Sequence, residues 1–312
     1  GHMFSMRYES LSRFAMTTVM LAASCHAGAA SDYWRTCHPP WFAVSVGRVP
    51  EANVTTGAAL EGEETRVSAG FGRASLKSID LNFGLDYEYT RYEYKGIESR
   101  DRDLHRFQLP IRFNTEHGAW HISGYIAPGI STSSNVLKEF SSAASSDDII
   151  VTGRIRLART INGRIWFAGI AHDRRFGESR AYPVAGVEFD PRTNVHIRLA
   201  YPDPGIAISI SDRQSIHADL YPAGHQWHVV SDDYLSDFNY RVEGWRGQLT
   251  WRLPLWKMLG LDISAGYEFG REHHLSNDAG LRLGIDIGDQ WFIGAELRLG
   301  AAPIQKTHGA WL

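Results

Sequence analysis

A chain of 312 residues with 43% hydrophobic residues is long enough for one large or two ordinary domains, yet it holds no apolar run of the length a membrane-crossing helix needs. A formal charge of -3 gives no reason to expect nucleic acid as a partner. The two cysteines, Cys25 and Cys37, exclude a disulfide-built scaffold.

Residues 1–30 read as an export segment. Gly1-His2-Met3 looks like an expression remnant. Arg7 and Arg13 precede the apolar run Phe14 to Ala23, and small residues follow in CHAGAAS, which is the layout of a secretory signal peptide cleaved near Ala29 or Ala30. The same stretch has a second reading, LAASC as a lipoprotein signal with Cys25 lipidated, although Ala22 stands where such signals usually carry a larger aliphatic residue. After cleavage only Cys37 would remain, so no internal disulfide is expected.

From Trp41 onward the pattern is period two. Ile79, Leu81, Phe83, Leu85, Tyr87 and Tyr89 alternate with Asp80, Asn82, Gly84, Asp86, Glu88 and Thr90. Successive side chains of a strand point to opposite sides, so this is a strand with one apolar and one polar face. Phe107 to Phe113 and Val151 to Leu157 repeat the alternation, as do Leu261 to Phe269, Ala279 to Ile287 and Trp291 to Leu299. Ten rougher segments between Trp41 and Leu253 bring the possible total to sixteen. TEHG, TING and PRTN read as tight turns. The stretches Lys95 to Arg102, Ser133 to Asp147 and Arg174 to Arg180 read as longer polar loops, the second of them mobile.

A soluble sandwich also alternates, but with strands of about 5 or 6 residues. Here several segments reach the roughly 9 to 11 residues that a tilted strand needs to cross a bilayer. Aromatic residues gather toward strand ends: Tyr87, Tyr89, Tyr92, Tyr94, Trp120, Trp166, Trp251 and Trp291 read as interfacial girdles. Backbone groups in lipid cannot stay unpaired, so such a sheet must close. The expected fold is all-β, a single closed antiparallel transmembrane β-barrel of 12 to 16 strands over residues 31–300, with a tail at 301–312. The expected location is the outer membrane of a Gram-negative bacterium, with outer-membrane lipids including lipopolysaccharide as surroundings.

Residues 195–300, through YPDPGIAISISD, GQLTWRLPL, SAGYEFGRE and WFIGAELRL, resemble uncharacterised outer-membrane β-barrel families. That resemblance implies assembly by the outer-membrane barrel assembly machinery. The ending departs from the usual one, since Leu299 stands where a terminal aromatic is common.

The segment HLSN resembles the His-x-Ser-Asn segment of outer-membrane lipid A deacylases. The resemblance implies His274 as base and Ser276 as nucleophile, with Asp286 or Asp289 near the place of the orienting acid. Two arguments oppose it. Unbroken parity from Ile263 to Phe269 puts Glu268, Glu272, His274 and Ser276 in the lumen, away from lipid. A C-terminal strand running down would make Gly288 to Gln290 an external turn and put His273 to Ser276 on the periplasmic side.

Inward parity collects Asp80, Asp86, Glu88, Arg106, Arg112, Arg154, Arg156, Arg198, Arg252, Glu268, Arg282, Glu296 and Arg298 as lining residues. They could fill a narrow barrel as ion pairs or line a polar pore in a wider one. No cofactor is expected. His117 and His121 lie about 13 Å apart along a strand, too far to share a metal. The pairs Asp147-Asp148 and Asp232-Asp233 read as solvated loop residues, with calcium the sharper reading. The leading functional expectation is a non-catalytic barrel, either a narrow conduit for small polar solutes or a structural barrel. The alternative is a lipid A or phospholipid acyl hydrolase.

Overall fold

A computed structural model describes residues 41–54, 57–96, 102–211, 214–231, 236–280 and 282–299. The expected signal peptide, both cysteines and the tail lie outside these residues. Seventeen strands form one sheet among the described residues. The first nine are β1 (Trp41–Asn53), β2 (Ala59–Leu76), β3 (Ile79–Lys95), β4 (Arg102–Gln108), β5 (Ile111–His117), β6 (Trp120–Ser133), β7 (Ile149–Ile161), β8 (Arg164–Asp173) and β9 (Arg180–Arg192). The rest are β10 (Val195–Tyr201), β11 (Gly205–Ser209), β12 (Ser215–Pro222), β13 (His225–Ser231), β14 (Ser236–Pro254), β15 (Leu259–Ser276), β16 (Arg282–Ile287) and β17 (Gln290–Leu299).

Three spans are each split in two. β4 and β5 share the partners β3 and β6, and Pro110, which has no N–H to give, makes the interruption. β12 and β13 share β14, and β16 and β17 share β15. Counting each split span once reduces seventeen strands to fourteen, all joined as antiparallel neighbours, and β17 pairs with β1 from Phe42↔Leu299 to Arg48↔Ile293. The barrel is closed and leaves no edge, within the expected range of strand number.

The outer surface carries the apolar half of the alternation. On β7, Ile149, Val151, Ile155 and Leu157 are exposed, while Ile150, Arg156 and Ala158 are buried inside. Trp120, Trp166, Trp251 and Trp291 are exposed on the outside as expected. An apolar exterior on a sheet without edges is a bilayer-spanning surface. No described helix is long and apolar enough to cross a membrane.

The two ends differ. At one, the turn end, four of the six hairpins among the described residues close in two residues; in one of them Asn162 and Gly163 both have positive φ (52° and 71°), which suits the primed turn that follows strand twist. The other, the loop end, carries residues 134–148 and 174–179. The first of these loops is built rather than loose. It holds short helices at Ser134–Lys138 and Phe140–Ala143 and a 3-10 turn at Ser146–Asp148. Val136 and Asp148 are buried, and Asp148 Oδ1 sits 2.9 Å from His228 Nδ1.

Toward the loop end a second, smaller ring forms inside the outline of the first. β13 keeps β14 on one side but leaves the wall and meets β6 on the other, with a parallel bridge His228↔Thr132. Ser131 Oγ donates to the Gln226 carbonyl (2.7 Å) and Asn135 Nδ2 to that of Val230 (3.2 Å). A bridge Val54↔Ile287 joins β1 to β16, so nine strands (β1–β4, β6 and β13–β16) enclose this ring, and β7–β11 stay outside it. Its core contains Leu60, Tyr92, Tyr94, Leu104, Trp227, Phe238, Tyr240 and Val242. Tyr92 and Tyr94 therefore belong to an interior core rather than to a girdle, because the even-numbered row of β3 faces inward.

Two register shifts lie where the two rings meet, and two others lie toward the turn end, at Gly70/Gly72 and Val195/Ile197. β1 has an extra residue between Val49 and Ala52, and β15 has one where Glu243↔Glu272 gives way to Trp245↔Phe269. Gly270, at φ 60°, takes the left-handed turn of that bulge. Below it Asp262, Ser264 and Glu268 face inward; above it Arg271 and His273 do.

Candidate functional site

Between the aromatic core and the turn end, the lumen is crossed by ion pairs. Glu88 on β3 lies 2.6 Å from Arg106 Nη2 on β4, accepts from Arg66 Nε at 3.0 Å, and faces His225 Nε2 at 3.8 Å. Arg246 on β14 donates from Nε to Glu268 (2.8 Å) and from Nη2 to Glu64 (2.8 Å), and its guanidinium stacks 3.8 Å from the Phe292 ring. β14 and β2 are separated by three spans, so this arginine is a strut between different parts of the wall. Nearer the turn end Asp262 is shared by Arg298 and Arg252, the latter at 3.4 Å. On the β7–β10 side Arg156 pairs with Glu188 at 2.8 Å above the Phe167 ring, and Arg198 reaches Asp219 at 3.3 Å. Buried charges are tolerable only when paired in this way.

Among these struts lies a cavity of ≈ 300 Å³. Its charged lining is seven arginines (Arg66, Arg106, Arg112, Arg174, Arg175, Arg246, Arg252) and seven carboxylates (Glu64, Asp86, Glu88, Asp173, Asp219, Asp262, Glu296), so the walls balance formally. Tyr125, Tyr221, Gln108, Gln226 and Phe292 complete much of the surface. The aromatic core stands over the loop-end side. There Tyr240 and Tyr94 hydroxyls lie 2.6 Å apart and both contact His273 Nδ1, at 2.6 and 3.1 Å.

The loop at 174–179 fills the remaining space between β8–β9 and β13. Arg174 Nη1 donates to the Gln226 carbonyl (3.1 Å), Gly224 N to the Arg175 carbonyl (2.7 Å), and Arg175 Nη1 to Asp203 (3.0 Å). Phe176 packs edge-on to Tyr182 and Trp245 and lies 4.0 Å beneath Arg180.

Most expected lining residues are inside. Asp86, Glu88, Arg106, Arg112, Arg252 and Glu296 line the cavity. Arg156, Arg198, Glu268 and Arg298 face inward in the surrounding ion-pair shell, and Arg154 shares the inward row of β7. Asp80 keeps inward parity at the turn-end rim, where it accepts from Ser75 Oγ (2.6 Å) and Arg73 (3.2 Å). Arg282 is a correction: it is exposed, in the row with Gly284 and Asp286, opposite the row of Ile285 and Ile287 that packs into the core. Glu64, Arg66, Arg246 and Arg271 escaped the sequence reading. Glu64, Arg66 and Arg246 lie in strands with no clean alternation, and Arg271 faces inward only because of the bulge.

The structure corrects both arguments about HLSN, the first through the bulge and the second through the continuity of the last span. His274 and Ser276 follow Gly270, so they share the outward row with Glu272 rather than the lumenal one. Gly288 and Asp289 interrupt one continuous span instead of turning it, and β15 ends at the loop end. His274 Nε2 faces Glu272 at 3.1 Å and Glu243 at 3.8 Å. Asp286 lies opposite Glu272 in register, two positions from His274. No group of three or more histidine, cysteine or acidic side chains is placed to hold a metal among the described residues.

No family model and no curated protein matches the sequence. Among solved structures, the barrel is similar to an outer membrane channel from Pseudomonas putida F1 at 8% identity and a TM-score of 0.48, over 88% of this chain and 100% of that one. It is also similar to the P. putida toluene transporter TodX at 9% identity and a TM-score of 0.43, over 90% and 96% of the two chains. The translocator domain of the autotransporter NalP from Neisseria meningitidis aligns at 8% identity and a TM-score of 0.35, over 93% and 98%. The fold of this chain, a closed antiparallel barrel of fourteen spans, stands on its own strand pairing.

Proposed function

We propose that this chain is a gated conduit for small polar solutes in a Gram-negative outer membrane, its loop end facing outward and its turn end facing the periplasm. Short periplasmic turns with longer external loops are the rule for such barrels, and they support that orientation. The observation that carries the reading is the ≈ 300 Å³ cavity lined by seven arginines and seven carboxylates under an aromatic core. A barrel serving only as scaffold gains nothing from ionised groups around its centre, since apolar packing is at least as stabilising. The core acts as the gate, and the ion-pair struts set what passes. Purified barrel in planar bilayers should show rare, small conductance steps that become frequent when the core is opened by substitution. Absence of permeation by ions and small polar solutes, in both the natural and the opened barrel, would remove the reading.

A second reading keeps one observation in its favour. The Gly270 bulge presents His274 and Ser276 on the outer wall at the loop end, where the proposed orientation puts lipid A, with Glu272 holding the imidazole. Loss of an acyl chain from added lipid A, abolished by Ser276→Ala, would establish hydrolysis. An unchanged lipid A mass would dismiss it.

A further inference from the structure

The charges around the cavity are balanced in number but not in place. Strands β15, β17, β2 and β3 contribute five carboxylates and Arg66 as their one arginine. The adjoining arc, from β4 and β5 round to the loop after β8, contributes four arginines and Asp173 as its one carboxylate, and the rest of the wall carries Arg246 and Arg252 on β14 and Asp219 on β12.

Pairing trims each arc without erasing it. Glu88, Glu64 and Asp262 are taken up by Arg66 with Arg106, by Arg246, and by Arg252 with Arg298. Asp86 and Glu296 have looser partners, Arg112 and Arg298, each at 4.0 Å. On the other arc Arg174 directs its bond to the Gln226 carbonyl rather than to a carboxylate. Tyr125, also on the cavity wall, has the Arg112 guanidinium 5.9 Å from its ring.

We infer that this cavity is a binding site for a small zwitterion of the amino-acid type, its carboxylate held on the Arg174 and Arg112 side and its ammonium on the Glu296 and Asp86 side. A lone anion or cation entering the cavity gives up its water and leaves one arc unanswered. A solute with both charges answers both arcs and adds no net charge to a neutral, partly desolvated site. The volume sits at the small end of ligand pockets, about 300 to 1,000 Å³, which favours a compact solute.

The inference rests on the conduit reading for how solute arrives, and the test separates the two. γ-Aminobutyrate, butyrate, n-butylammonium and butyramide share a four-carbon chain and differ in charge. Calorimetry on the detergent-folded barrel should give γ-aminobutyrate an affinity at least tenfold above that of butyrate or n-butylammonium. Arg174→Gln should shift the preference toward n-butylammonium, and Glu296→Gln toward butyrate. Arg174 is on a loop, so its substitution leaves the wall intact, and heat-modifiable gel mobility identifies folded protein for both variants. Equal affinities for the three charged compounds, or γ-aminobutyrate binding unmoved by either substitution, would overturn the inference. Liposome flux then reads the conduit separately. Butyramide entry without a zwitterion preference leaves the conduit and removes the site, whereas zwitterion binding without any flux leaves the site and removes the conduit.

Discussion

Trp227→Ala tests the gate most directly. The indole is 1% exposed, on the half-span that leaves the wall, and its ring lies 6.4 Å from Tyr92, 6.3 Å from Tyr240 and 5.4 Å from His225. Burying an aromatic of this kind and then truncating it costs about 3–5 kcal/mol, because neighbouring side chains collapse into the void only in part. β13 is attached to β6 by a single bridge and a few side-chain bonds, so much of that loss falls on the equilibrium between seated and unseated β13 rather than on the fourteen-span wall. At about 1.4 kcal/mol for each factor of ten, the unseated population should rise roughly a hundred- to several-thousand-fold. Single-channel recording reads this as open time, with Trp291→Ala as the control, since Trp291 is 65% exposed on the outer wall. An open probability unchanged in folded Trp227→Ala protein would refute the core as the barrier.

Other outcomes follow from the same geometry. Asp148→Asn removes the charge of the nearer carboxylate facing buried His228, the other being Asp237 at 3.7 Å; a hydrogen bond to a charged group is worth about 1.5–3 kcal/mol, so the loss stays below that, and proteolysis within residues 134–148 should accelerate while the barrel remains folded. Ile155→Arg puts a cation on the outer wall and should cost about 2–4 kcal/mol in urea unfolding from lipid if the residue lies near the bilayer midplane. Thr152→Arg, on the inward row of the same strand, should cost less, and equal losses would contradict the assignment of faces. A Cβ at Gly70 would collide with the Trp41 indole, so Gly70→Ala should lower the folded fraction on heat-modifiable gels and Trp41→Ala in the same chain should restore it.

The alternation along β3 and β7 and in the lower half of β15 was enough to assign strands, faces and closure, because period two is a property of each strand in isolation and lipid demands the same parity from every one of them. Glu88, Arg106, Arg252 and Glu296 stand on the inward rows of the strands, around the cavity. Where the wall changes course, at Arg282, His274 and Ser276, local parity points the wrong way, whereas Tyr92 and Tyr94 sit on the unbroken inward row of β3 and their aromatic character alone suggested a girdle. A bulge inserts one residue and reverses every face beyond it, and nothing in REHHLSND distinguishes a strand that continues from one that has slipped.

Which strands neighbour each other was readable from the short turns, but the departure of β13 toward β6 was not. That contact joins residues 96 positions apart, as in the bond from Thr132 Oγ1 to the His228 carbonyl. Local pattern thus decided that the chain is a lipid-facing cylinder. Only the packing of distant side chains decided that one end is filled by aromatic residues, that paired arginines and carboxylates surround a small cavity, and that His274 looks outward, since each of these follows from where the wall bends rather than from the order of residues along it.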